Sequence, residues 1–108
     1  MTEVLMVFTT FAQESDAVRV VRALLEERLI ACGNLVPSVR SLYHWKDAIA
    51  DEREVLVMMK TRKQDWTALL SRLHELHPYE TPECVAVRVA AGAPKYMEWL
   101  DAALSPES

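Results

Sequence analysis

The sequence predicts one α+β domain in which a four-stranded sheet carries helices on one face. Three observations predict it. The hydrophobic repeat switches between the strand period of 2 and the helix period of 3.6 in the order β-α-β-β-α-β, with one helix more at the end. The two middle strands are separated by a short polar stretch, with no helix between them. The length, 108 residues, suits a single domain, and no linker, repeat or low-complexity stretch interrupts it. The domain is assigned to 1–104, with Ser105-Pro106-Glu107-Ser108 as a short frayed tail.

Val4 to Phe11 is short, β-branched and aromatic, and nearly uniform in polarity, which predicts a strand covered on both faces. From Glu14 to Arg28 the period changes: Ala17, Val21, Leu24 and Arg28 share a helix face, flanked by Val18, Val20 and Leu25. Ser15 or Asp16 is expected near its start. From Ala31 to Trp45 the period is again two. Pro37 lies inside this stretch and cannot donate to a ladder, so it predicts a bulge or an edge. Lys46 to Glu52 reads as the polar end of a hairpin, and Glu54 to Lys60 as its returning strand. The ribbon is too long for one small domain to cover.

Thr61-Arg62-Lys63-Gln64 has capping-box spacing before a helix carrying Trp66, Leu69, Leu70 and Leu73. Pro78 stops that helix. Cys84 to Ala91 is a fourth strand, Gly92-Ala93-Pro94 breaks it, and Tyr96, Trp99, Leu100, Ala103 and Leu104 form the last helix. With right-handed crossovers this order gives a ferredoxin-like βαββαβ sandwich with a long hairpin between its second and third strands and an extra C-terminal helix.

Composition excludes several functions. Hydrophobic residues make up 51% and charged residues 26%, as in ordinary globular domains. Twelve basic against 16 acidic residues give −4, which disfavours a nucleic-acid partner. The longest apolar run, Val4 to Phe8, is far short of the ~20 residues of a spanning helix, so no membrane span is expected. Two isolated cysteines, Cys32 and Cys84, offer no zinc or disulfide framework, and a cytoplasmic location with reduced thiols is expected. The loop after the first strand, Thr10 to Glu14, holds neither the thiols of a soft-metal chaperone nor the glycines of a phosphate cradle. The third strand lacks the aromatics on which RNA bases stack. No nucleophile or cofactor motif is present, so the chain is read as no enzyme; His77 as a base oriented by Glu83 is the weakest alternative.

His74-Glu75-Leu76-His77-Pro78-Tyr79-Glu80-Thr81-Pro82-Glu83 remains as the one chemically dense segment. Together with Val7-Phe8-Thr9-Thr10, Leu25 to Asn34, Val39 to Trp45, Lys60-Thr61 and Tyr96 to Leu100, it resembles the CutA divalent-cation tolerance family along nearly the whole domain. The resemblance implies a homotrimer whose long hairpins reach onto neighbours, no established catalysis, and tolerance to divalent metals with copper binding. No tightly bound cofactor is implied; Cu²⁺ or another divalent cation is the expected ligand. Some relatives carry a first-strand cysteine where this chain has Phe8, and only His77 carries over as a metal ligand. The trimer also looks like that of the PII signalling proteins, which gives the alternative: a regulator or assembly platform holding a small anionic ligand between subunits.

The candidates each have a plainer reading. His77, with His74 one helical turn away, could clip a metal, or it could cap the helix by bonding a carbonyl. Two nitrogens alone make a weak site, which favours the cap. Glu80 and Glu83 are metal carboxylates, or partners of Lys60 and Arg88 across an interface. Tyr43, Trp45, Lys60 and Tyr79 are assigned to an intersubunit cleft, where aromatics with a polar end are at home. Cys32 is a minor soft-ligand candidate, with burial the plainer expectation.

Overall fold

A computed structural model describes residues 2–105 of the chain. Its elements are β1 (Val4–Phe11), α1 (Glu14–Glu26), β2 (Cys32–Trp45), β3 (Ala48–Arg62), a 3₁₀ turn (Lys63–Asp65), α2 (Trp66–Leu76), β4 (Val85–Arg88) and α3 (Pro94–Leu104). The sheet is antiparallel in the order β2-β3-β1-β4, the expected ferredoxin-like arrangement. Of the expected tail, 106–108 lie outside the described residues, whereas the Ser105 hydroxyl donates to the Asp101 carbonyl at 2.9 Å.

Alternation along β1 separates the two faces. Leu5, Val7, Thr9 and Phe11 are buried, joined by Val55, Val57 and Met59 of β3 under Ala17, Val20, Val21 and Leu24 of α1 and Leu69 and Leu73 of α2. Met6, Phe8 and Thr10 point the other way and are only half-buried. The expectation that this strand is covered on both faces is therefore corrected, because the chain's own helices supply a full layer on one side only. On the other side α3 covers just the end of the sheet, closing a small core of Val4, Ala31, Leu100 and Leu104. Arg62 ties α3 down: its guanidinium reaches Asp65 at 2.9 Å, Asp101 at 3.0 Å and the Leu104 carbonyl at 3.3 Å.

The hairpin departs from expectation at its tip. Lys46 and Asp47 alone form the turn, both with positive φ (47° and 62°), and β3 begins at Ala48. Positive φ at both central residues matches the right-handed twist of the flanking strands, so the stretch read as a polar end is mostly paired strand. Pro37 does mark a bulge: the register slips between Val36 and Val39, with Ser38 at φ 59°. Beyond it the ribbon projects as an arm, and the molecule measures 49 × 26 × 22 Å. Leu42, Tyr43, Trp45 and Ile49 stand exposed on that arm.

Three local expectations also change. Thr61 is no capping residue; it stays in β3 beside β1, and its buried hydroxyl donates to the Leu29 carbonyl at 2.7 Å. The first helix ends at Glu26, because Arg28 takes φ 57° and turns its guanidinium out to the Ala103 carbonyl at 2.7 Å. The fourth strand shortens to Val85–Arg88. Gly33 is sterically required, since a Cβ there would sit 2.7 Å from Val21 Cγ1 of α1.

Gly33→Ala should lower the unfolding free energy by about 1–3 kcal/mol, because a β-branched neighbour gives way poorly. Asp47→Gly should raise it by about 0.5–1 kcal/mol by relieving the positive φ. Urea midpoints of the two variants, moving in opposite directions, check both.

Candidate functional site

Pro78 forces the chain out of helix at His77, whose backbone turns extended (φ −72°, ψ 134°) and drives the imidazole into the protein. The ring is buried, at 6% exposure, and stacks on Phe11 with centroids 4.1 Å apart and planes 12° apart. Its Nε2–H donates to the Thr10 carbonyl at 2.7 Å, and its Nδ1 accepts the Tyr79 backbone N–H at 3.1 Å. These partners require the neutral imidazole with its proton on Nε2. Burial, first of all, holds the His77 pKa below its ordinary 6.5, against the opposing pull of the Thr10 carbonyl and of Asp16 and Glu54; His74 adds to the lowering.

Tyr79 extends the same network. Its ring lies 4.8 Å from that of His77, and its hydroxyl donates to Glu54 Oε2 at 2.7 Å. Burial, with Glu54 beside it, pushes the phenol's pKa well up, so it remains a donor. Phe11, Thr10, His77, Tyr79 and Glu54 thus bolt the segment after α2 to the end of β1 and the middle of β3. Glu54 is the partner that sequence reading missed; buried carboxylates look like any other hairpin acid until the fold encloses them.

The remaining candidates do not converge within one chain. Neither nitrogen of His77 is free to take a metal, while exposed His74 uses Nδ1 against the Leu70 carbonyl at 3.0 Å. Glu80 and Glu83 are exposed, with no ion pair among the described residues. Their expected partner Arg88 pairs instead with Glu3 at 3.2 Å within the chain. Tyr43 and Trp45 stand on the arm, whereas Lys60 faces Cys32 at the far end of the ribbon; Lys60 is ten positions along β3 from Ala50, the partner of Tyr43, which at ~3.3 Å each is roughly 33 Å. A cleft using all four side chains therefore has to combine two copies of the chain. Lys60 reaches the Tyr96 hydroxyl at 3.2 Å, and Cys32 Sγ lies 3.8 Å from both. Among the described residues, no three His, Cys, Asp or Glu side chains gather as a metal site, and no helix is long and apolar enough to cross a membrane.

Comparison with known proteins gives one consistent result. The family model described as CutA1 divalent ion tolerance protein matches residues 5–103. The divalent-cation tolerance protein CutA of Thermus thermophilus is 39% identical over 94 residues, covering 87% of this chain and 91% of that protein. Protein CutA of mouse is 41% identical over 93 residues, 86% of this chain, yet the chain spans only 52% of the mouse protein. Among solved structures, CutA1 from Ehrlichia chaffeensis superposes with a TM-score of 0.93 at 27% identity, covering 98% of this chain and 99% of that one.

Two outcomes follow from the imidazole network. Because the folded state holds the His77 pKa below its unfolded value, the stabilisation is complete above about pH 6.5 and is lost as pH falls through the folded value. Unfolding free energy should therefore decline on acidification from pH ~7.5 to ~5, and His77→Gln should flatten that part of the profile. Tyr79→Phe should cost about 1–3 kcal/mol by leaving buried Glu54 without its donor, measured by urea unfolding at pH ~7.5.

Proposed function

The chain belongs to the CutA1 divalent ion tolerance family, and from that membership we propose that it acts, without catalysis, as a homotrimer holding divalent cations between its subunits. One observation carries the reading: the sheet has an apolar face that its own chain leaves open. Val85, 53% exposed, continues across Phe8 of β1 to Met58 of β3, Val87, 51% exposed, lies beside Met6 of β1, and Leu56 of β3 stands on the same face two residues from Met58. Fully burying one such side chain is worth roughly 1.5–3 kcal/mol, so a face with six of them favours association strongly. Three copies closing about an axis would turn these faces inward and give each arm, with Trp45 and Ile49 at 54% and 71% exposure, a neighbour to lie on.

Cation binding follows from what the segment 74–83 leaves outside. With His77 committed to holding the loop, the open donors are the second nitrogen of His74 and the carboxylates of Glu80 and Glu83. Imidazole with carboxylate suits Cu²⁺ and Zn²⁺, and affinity order favours copper. Ligands from adjacent subunits would complete the coordination. His77 enters as the residue that positions this segment; direct coordination would require it to surrender one of its two bonds.

Two measurements test the proposal. In analytical ultracentrifugation the protein should sediment at three times the chain mass, and Met58→Glu on the open face should dissociate it; a stable monomer at micromolar concentration would overturn the assembly. In calorimetric titration with Cu²⁺, His74→Ala with Glu80→Gln should weaken binding at least about tenfold. Unchanged affinity would remove these ligands. Heat with anionic metabolites and none with metals would move the chain to the regulator class.

A further inference from the structure

We draw no further inference here: the strongest candidate, the exposed aromatic patch that Tyr96 and Trp99 make on α3 with ring centroids 5.6 Å apart, is an unpartnered surface, and nothing among the described residues shows what covers it.

Discussion

A sheet with two apolar faces and helices enough for one is the constraint on which this molecule turns. α1 and α2 bury Val7, Phe11, Val57 and Met59 completely, and α3 reaches only the end of the opposite side. The row from Val87 through Met6 and the row from Val85 through Phe8 to Met58 therefore face outward at the centre of the fold. Apolar surface of that extent at the middle of a sheet is stable only when something covers it. The projecting arm belongs to the same problem, since a two-stranded ribbon is marginal alone.

The segment after α2 is governed by a different economy. A histidine before a proline, at the end of a helix, has every sequence attribute of an exposed ligand, yet burial makes it a bracket instead. Once Phe11 lies against its ring, both nitrogens must find partners inside the protein, and the Thr10 carbonyl and the Tyr79 amide supply them. Tyr79 in turn satisfies Glu54. The polar atoms of this cluster are spent on one another, so chemistry directed outward falls to the exposed donors around it. Contrast the other end of the ribbon, where among the described residues Lys60 is answered only by a thiol and a phenol.

The different surroundings of the two cysteines have the same origin. Both are half-buried and both flank the sheet, but one faces a cation and the other a carboxylate in an apolar setting. Side-chain type and local sequence do not distinguish them. Their neighbours across strands and from α3 do.

Element order, the hairpin, the bulge at Pro37 and the stop at Pro78 were legible in the sequence, because each depends on local periodicity or on the fixed geometry of proline. So was the density of polar groups between His74 and Glu83. The tip turn at Lys46-Asp47 was not, since it lacks the glycine that usually announces such a turn. Neither was the position of Thr61, where pairing with β1 outweighed a cap-like spacing. Which histidine is closed and which open, that Glu54 answers Tyr79, and that Lys60 meets Cys32 and Tyr96 were decided by tertiary structure alone. Those pairings join residues 25 to 67 positions apart, and no local pattern encodes a partner that only folding brings near.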